Sequence, residues 1–164
     1  MTEIESRIAE LVAHFRQIGV IQMQDLPIYN AGLEVEAVGF QAVGNRWIGV
    51  LITPWFMNAI LLPSEKTALD AKLIGQKSQE ALPAATCAFI SGGDETVGGY
   101  KSLSLYSPMA AFTSQDRARH EAQARLTALL TPPAELPKPV AQESPPQEPA
   151  NLSRRAFLRG RRNA

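Results

Sequence analysis

Cysteine and histidine are scarce in this sequence. Cys87 is the single cysteine, and His14 and His120 are the two histidines. One cysteine excludes a disulfide within the chain and any zinc or iron–sulfur site built from several thiolates. The histidines lie far apart on predicted helices among polar neighbours, so we interpret them as surface residues. We therefore predict no catalytic or metal site, and the lone thiol is consistent with a reducing, cytoplasmic setting.

The sequence also lacks a long, uninterrupted apolar run. Its most apolar stretch, residues 48–62, is broken by Gly49, Pro54 and Asn58, and it is too short to cross a bilayer. The first seven residues mix acids with apolar side chains, whereas a secretory signal begins with basic residues followed by an apolar segment. We therefore predict neither a transmembrane segment nor a secretory signal at the N-terminus.

The formal net charge is zero, but the charges are distributed unevenly. The last 14 residues contain five arginines and no acid, so residues 1–150 carry a net charge of −5 and the tail carries +5. An acidic body with a basic tail is a common arrangement for an interaction arm. Between them, residues 132–149 contain seven prolines and almost no large apolar side chain. We predict a globular domain over 1–130, a disordered proline-rich linker over 131–152 and a basic tail over 153–164.

Hydrophobic periodicity predicts an α+β fold. Apolar residues at helical spacing predict a helix over 3–18, preceded by the capping box Thr2-x-x-Glu5. Two further helices are predicted, from residue 64 to about residue 80 and from a cap at Thr113 to about residue 130. Period-two alternation and short apolar runs predict the strands, which are residues 33–43, 46–53, 55–62, 86–91 and 100–106.

Turn residues predict how these strands pair. Gly44-Asn45 is a two-residue hairpin signal, and a bulge near Gly39 would absorb a shift in the apolar phase of the first strand. Asp94-Glu95, in a glycine-rich loop over 92–99, indicates a turn rather than a pair of catalytic carboxylates. Short connections favour antiparallel pairs. We predict a single antiparallel sheet of about five strands, in the order α-β-β-β-α-β-β-α, with the helices packed on one face.

An aromatic run is the strongest signal of a binding surface. Trp55, Phe56 and Met57 are consecutive, and neighbouring side chains on a strand point to opposite faces. Helices on one face cannot cover all three, so part of this run should lie open or under a partner. A strand buried on both faces is the alternative.

The basic tail contains a second signal. Residues 153–158 read Ser-Arg-Arg-Ala-Phe-Leu, which is the core of a twin-arginine export signal, although such signals belong at an N-terminus and precede an apolar stretch. Arginines alone could bind nucleic acid or anionic lipid. Neither partner requires Phe157 and Leu158 at fixed positions after the arginine pair, whereas a peptide read by a protein groove does.

Together these segments resemble a known family. Residues 33–40, 47–63, 105–109 and 153–161 are similar to the HybE/HupJ (HoxT) family of nickel–iron hydrogenase assembly chaperones. The resemblance runs from about residue 26 to 130 and resumes at Ser153. The block Trp-x-Gly-x-x-x-Thr-Pro-Trp, residues 47–55, is its most distinctive part. The chain departs from the family pattern at Asn30-Ala31-Gly32, where Asn-Pro is expected, and in its long linker.

The resemblance implies a cytoplasmic, non-enzymatic chaperone of α+β fold without a cofactor. Its partners would be the small-subunit precursor of an uptake hydrogenase, with its twin-arginine signal, the large subunit, or other maturation proteins. The alternative is an adaptor whose tail binds a membrane surface or nucleic acid. Whether the tail binds the body or another protein stays open. The expected partner-binding residues are Trp47, Thr53, Pro54, Trp55, Phe56, Met57, Pro63, Ser107, Pro108, Arg154, Arg155, Phe157 and Leu158.

Overall fold

A computed structural model describes residues 2–68 and 70–133. Its elements in chain order are α1 (Glu3–Ile18), a π-helical turn (Gly19–Met23), β1 (Glu36–Val43), β2 (Arg46–Ile52), β3 (Met57–Pro63), β4 (Lys77–Ala81), β5 (Thr86–Asp94), β6 (Gly98–Tyr106) and α2 (Gln115–Leu130). Apart from residues 131–133, the predicted linker and tail lie outside the described residues. No helix in the described part of the chain is long and apolar enough to span a membrane.

The first helix begins as its sequence predicts. Thr2 Oγ1 accepts a hydrogen bond from the backbone N–H of Glu5, and Glu5 Oε1 accepts one from the N–H of Thr2, both at 3.2 Å. This reciprocal pair satisfies two N–H groups that the first turn leaves without helical partners. Leu11 and Phe15 then face the core. The prediction of a helix over 3–18 with a capping box is confirmed.

The strands form one antiparallel sheet in the order β1-β2-β3-β6-β5-β4. The predicted α+β class and single antiparallel sheet are confirmed, with six strands rather than about five. The Gly44-Asn45 turn joins β1 to β2, since Val43 pairs with Arg46. The predicted bulge is also present, because the register shifts between Val38 and Gln41, where Gly39 has φ +69°.

The two helices cover opposite faces of the sheet, so the prediction that the helices pack on one face is wrong. Alternate side chains of β2, such as Ile48 and Val50, pack with α2 in one core, whereas Leu51 packs with α1 in a second core. The physical reason lies in β2 and β3, which are apolar at successive positions. Because such strands present apolar side chains to both faces, each face needs its own cover.

The bulge in β1 explains why β2 contains a glycine. Gly39 lets the strand bend, and the phase shift places Phe40 against β2. A Cβ atom on Gly49 would lie 2.2 Å from Cδ1 of Phe40, well inside van der Waals contact. The aromatic ring therefore occupies the space that a side chain at position 49 would need, and Gly49 of the family-like block is required by packing.

The predicted helix over 64–80 is wrong. Residues 71–75 form turns, and β4 follows as an edge strand. Gly75 has φ +85°, a left-handed conformation that a helix interior does not contain. Its N–H donates to the carbonyl of Ser91 at 2.8 Å, and Ser91 returns a bond to Gln76 at 2.9 Å. Pairing with β5 thus overrides a weak helical periodicity. The apolar residues Leu73 and Ile74, on which that periodicity rested, are about half exposed.

Some element boundaries also differ from the prediction. β1 begins at Glu36 rather than residue 33, and β5 and β6 extend into the glycine-rich segment that was predicted as loop. Asp94 forms the predicted turn, because its Oδ1 accepts from the N–H groups of Thr96 and Val97 at 2.9 Å. The last helix is capped by Ser114 rather than Thr113, with Ser114 Oγ accepting from the N–H of Arg117.

β4 contributes a half-buried carboxylate that ties the edge of the sheet to its centre. Glu80 accepts hydrogen bonds from Lys101 Nζ at 2.5 Å, from Ser78 Oγ at 2.7 Å and from Arg46. Burial raises the pKa of Glu80, but these hydrogen bonds together outweigh burial and lower the pKa to about 2. The ionised form is therefore the one that the folded protein stabilises.

We expect Glu80→Gln to lower the free energy of unfolding by about 1–3 kcal/mol at neutral pH. Because the folded pKa lies below the ordinary value of 4.5, this stabilisation is present above pH 4.5 and is lost as pH falls toward about 2. Urea unfolding at neutral pH and at about pH 3 should show the difference from wild type shrinking. The exposed Glu95→Gln is the control, and a pH-independent difference for Glu80→Gln would contradict the assignment.

Candidate partner-binding site

Three connecting segments meet at one end of the sheet. Ile52 pairs with Glu36 on one side and with Met57 on the other, and Met57 pairs with Tyr106. The start of β1, the end of β2, the start of β3 and the end of β6 therefore lie side by side. We call the segments that meet here, residues 19–35, 53–56 and 107–114, the loop end.

Asn30 ties these three segments together. Its backbone N–H donates to the carbonyl of Pro54 at 2.8 Å. Its side-chain Nδ2 donates to the carbonyls of Met109 at 3.1 Å and Phe112 at 2.9 Å, and Oδ1 accepts from the N–H of Gly32 at 2.9 Å. One residue thus bonds to backbone groups from all three segments, in a region where regular structure supplies few such bonds.

The second segment is a tight turn organised by Thr53. Its Oγ1 accepts from the N–H groups of Trp55 at 3.2 Å and Phe56 at 2.9 Å, and its own N–H donates to the carbonyl of Phe56 at 2.8 Å. The Thr53 side chain is fully buried. Because Pro54 has no N–H to donate, the hydroxyl of Thr53 takes over the hydrogen bonding that starts the return into β3.

Trp55 anchors the loop end to α1. Its ring stacks on Tyr29, with centroids 6.2 Å apart and planes inclined by 20°, and Phe15 of α1 lies 6.5 Å from it. Gly19 lets the chain pass close to this ring, since a Cβ there would lie 3.2 Å from Trp55 Cζ3. The aromatic cluster therefore fixes how the chain leaves α1 and enters residues 20–30.

The aromatic run, of which part was expected to lie open or under a partner, is mostly buried. Trp55 is 8% exposed and Met57 is fully buried, whereas Phe56 is half-buried. The alternative was a strand buried on both faces. It holds for β3, which begins at Met57, because α1 covers one face of the sheet and α2 covers the other. Thr53 and Pro54 are also buried. A partner cannot touch these buried residues directly. It can contact only the exposed residues that they hold in place.

The structure brings together only part of the predicted partner-binding set. Ser107 and Pro108 are exposed at the loop end, beside the turn that contains Thr53. Trp47 and Pro63 are half-buried at the opposite end of β2 and β3, where Trp47 pairs with Leu62. The tail residues, namely Arg154, Arg155, Phe157 and Leu158, lie outside the described residues.

A groove opens at the loop end between two of its segments. It has a volume of about 560 Å³ and no charged residue in its lining. Residues 27–31 form one wall, and Pro108, Ala110, Phe112 and Thr113 form the other. Asn30 fixes the distance between the walls, because its side chain bonds the backbone of the second wall. The groove is therefore held open by the same hydrogen bonds that join the loops.

Exposed apolar side chains lie on the same loop-end segment as one wall of this groove, and the sequence alone did not single them out. Val20 is 69% exposed and Ile21 67%, and Leu26 and Ile28 are 43% and 44% exposed. They belong to one compact segment, since Tyr29 N–H donates to Leu26 and Leu26 N–H to Met23, both at 3.0 Å. One feature of the sequence could have revealed them. The segment between Gly19 and Pro27 is rich in apolar residues, whereas a solvated loop is usually polar.

The charged residues within 19–36, the stretch that includes one wall of the groove, are all acidic. Asp25, Glu34 and Glu36 are the charged residues of 19–36, and residues 53–56 and 107–114 carry no charge. Arg119 donates to Glu36 at 2.7 Å, and its hydrogen bond is the main cause that lowers the Glu36 pKa. Among the described residues, Asp25 and Glu34 have no such basic partner. The surface beside the groove is therefore apolar and acidic.

A metal-binding arrangement does not appear in the described part of the chain. No group of three or more His, Cys, Asp or Glu side chains within residues 2–68 and 70–133 is placed to hold an ion. His14, predicted to be a solvated surface residue, instead pairs with Asp94 at 3.0 Å and is only 20% exposed. His120 is exposed on α2.

The fold and the sequence match known proteins. The solution structure of HybE from Escherichia coli superposes with a TM-score of 0.62, covering 83% of this chain and 86% of that one at 24% identity, which supports the fold. The hydrogenase expression/formation protein HupJ of Bradyrhizobium diazoefficiens is 39% identical over 92% of this chain and 85% of its own length. The probable rubredoxin HupJ of Rhodobacter capsulatus is also 39% identical, but this chain spans only 46% of that protein.

The family follows from a further match. The sequence model described as NiFe-hydrogenase assembly, chaperone, HybE covers residues 6–160. The chain belongs to this family of hydrogenase assembly chaperones. The resemblance seen in the sequence is thereby confirmed, and the matched range includes both the loop end and the Ser153–Leu158 positions of the tail.

We expect substitution of Asn30 to loosen the loop end. Asn30→Ala removes three side-chain hydrogen bonds and should lower the free energy of unfolding by about 2–4 kcal/mol. Asn30→Asp should cost at least as much, because it places a carboxylate oxygen opposite two carbonyls. Thermal unfolding measures both, with the exposed Gln24→Ala as control. Wild-type stability of Asn30→Asp would show that these hydrogen bonds do not hold the loops.

Proposed function

We propose that this chain is a cytoplasmic, non-enzymatic chaperone for an uptake nickel–iron hydrogenase. In this proposal it binds the small-subunit precursor before export, and its recognition depends on the twin-arginine signal of that precursor. Family membership supports hydrogenase assembly, and the printed name of the Bradyrhizobium relative refers to hydrogenase expression and formation. The specific client rests on the chemistry of the loop end.

The observation that carries the proposal is the pair of β-branched side chains, Val20 and Ile21, that are about two-thirds exposed on a braced segment. Exposed apolar surface of this kind marks an interaction site when it adjoins a groove. The segment does not depend on a partner for its shape, since Trp55, Tyr29 and Asn30 hold it in place. A rigid apolar surface binds with little loss of conformational entropy.

The groove is suited to binding rather than to chemistry. Its walls are mainly apolar, and the side chain of Asn30, the polar group at its centre, is already engaged with backbone atoms. A client segment could bury apolar side chains there without reacting. This is the property expected of a chaperone that retains a precursor and releases it unchanged.

The client is tested by co-purification. The full chain would be co-expressed with a tagged small-subunit precursor, with the same subunit lacking its signal, and separately with the large subunit. We expect capture of the precursor and a large loss of capture without the signal. Equal capture with and without the signal, or capture of the large subunit alone, would contradict signal recognition. Neither outcome would contradict a role in hydrogenase assembly.

The tail residues enter the proposal as a competitor of the client. Residues 153–158 have the sequence pattern of the signal that the client carries, so we propose that they bind the same reader. Arg154→Ala with Arg155→Ala should then increase capture of the precursor, because competition is removed. Arg161→Ala with Arg162→Ala is the control, since it removes equal charge outside the motif. Unchanged capture, or an equal change in both variants, would contradict the competition.

A further inference from the structure

We propose that the groove and the exposed apolar residues at the loop end form the surface that holds the client's twin-arginine signal. The signal would lie as an extended peptide, with its arginine pair beside Asp25 and Glu34 and the following apolar side chains in the groove and against Val20 and Ile21. This inference rests on the proposed function and assigns its binding surface, which the comparisons do not.

Charge complementarity selects this kind of peptide. Asp25 and Glu34 bracket the groove wall formed by residues 27–31, at a distance of two and three residues along the chain. Both are exposed, and the loop end contains no Lys or Arg. A cationic segment would thus meet the carboxylates of Asp25 and Glu34 there, whereas Arg119 of the adjoining α2 is engaged with Glu36 and Asp116. An arginine can bond a carboxylate through two parallel N–H groups, which a lysine cannot do.

The apolar part of the surface favours peptides in which large apolar side chains follow the arginine pair. The groove, at about 560 Å³, is within the size range of sites that enclose a ligand. Ile28 lines it, and Leu26 precedes that wall. Large apolar side chains such as Phe and Leu would therefore be buried there. A peptide with arginines alone would leave this surface exposed to water.

The hydrogen bonds of the loop end connect the two parts of the surface, namely the apolar groove and the backbone at the acidic residue Glu34. Asn30 links the groove walls, and the backbone N–H of Glu34 is held by Gln115 Oε1 at 3.0 Å. Glu34 is thereby fixed to the start of α2, next to Thr113 of the opposite wall. The backbone that carries the Glu34 side chain and the groove walls are therefore joined, so charged and apolar contacts can be made by a single short peptide.

The test uses the full chain and a fluorescent synthetic peptide in which Ser-Arg-Arg-Ala-Phe-Leu precedes an apolar stretch. Binding is measured by fluorescence anisotropy at low and high salt. A peptide with both arginines replaced by glutamine is the peptide control. We expect wild type to bind the arginine peptide more tightly, with the difference shrinking as salt rises.

Two variant pairs probe the two parts of the surface. Ile21→Ser with Ile28→Ser should weaken binding about tenfold or more, because two apolar contacts are lost. Asp25→Asn with Glu34→Gln should weaken binding about fivefold at low salt and flatten the salt dependence. All four residues are exposed, so the variants should fold, which thermal unfolding verifies.

Matched controls separate this surface from the rest of the molecule. Leu73→Ser with Ile74→Ser removes two exposed apolar residues elsewhere, and Glu65→Gln with Glu95→Gln removes exposed acids. Both controls should bind as wild type does. Failure of the wild type to bind the peptide, or loss of binding in the controls but not in the loop-end variants, would overturn this surface. Signal-dependent capture of the precursor would still stand in either case, so the two proposals can fail separately.

Discussion

Burial of β2 and β3 on both faces is the constraint on which the rest of the structure depends. Ile48 and Val50 point toward α2, and Leu51 points toward α1, so neither face of the central strands can be left to solvent. Once α1 and α2 cover both faces, little apolar surface of these strands remains for a partner. The ends of the strands are then the places where the chain can expose apolar side chains without opening its core.

The loop end shows how irregular backbone can be made rigid enough to serve as such a surface. Asn30 supplies hydrogen bonds to two carbonyls and accepts one from Gly32. In the turn that follows β2, Thr53 Oγ1 instead accepts hydrogen bonds from the N–H groups of Trp55 and Phe56, and Trp55 fills the space beneath residues 19–30. The motif residues that mark the family are therefore mostly supporting residues. The contact surface itself consists of the side chains that these residues hold outward.

The sequence predicted most of the fold where local signals and tertiary packing agree. The capping box of α1, the Gly44-Asn45 turn and the bulge near Gly39 are all encoded within a few residues. The segment 64–80 was predicted as helix because a weak apolar period was counted, while the pairing of residues 75–76 with Ser91 depends on a strand far along the chain. Predicting that the helices lie on two faces would also have required knowing which strands are central in the sheet.

The candidate site was predictable only in part, because it too depends on contacts between residues that are distant in the sequence. Trp55 and Met57 attracted attention as a run of large apolar side chains, but only the positions of α1 and α2 reveal that they are buried. Val20 and Ile21 follow the predicted end of the first helix, and their exposure on the π-helical turn at Gly19–Met23 is visible only in the structure. Asn30 has no distinguishing neighbours in the sequence, because its partners Met109 and Phe112 are some 80 residues away.

The most direct measurement of the central claim is hydrogen–deuterium exchange of the full chain, alone and with the arginine peptide. The account predicts that added protection falls on residues 19–35 and 107–114. Residues 70–74, in the connection between β3 and β4, should exchange as they do in the free protein. Protection confined to that segment, or to the outer surfaces of α1 and α2, would contradict the claim that the loop end is the binding surface.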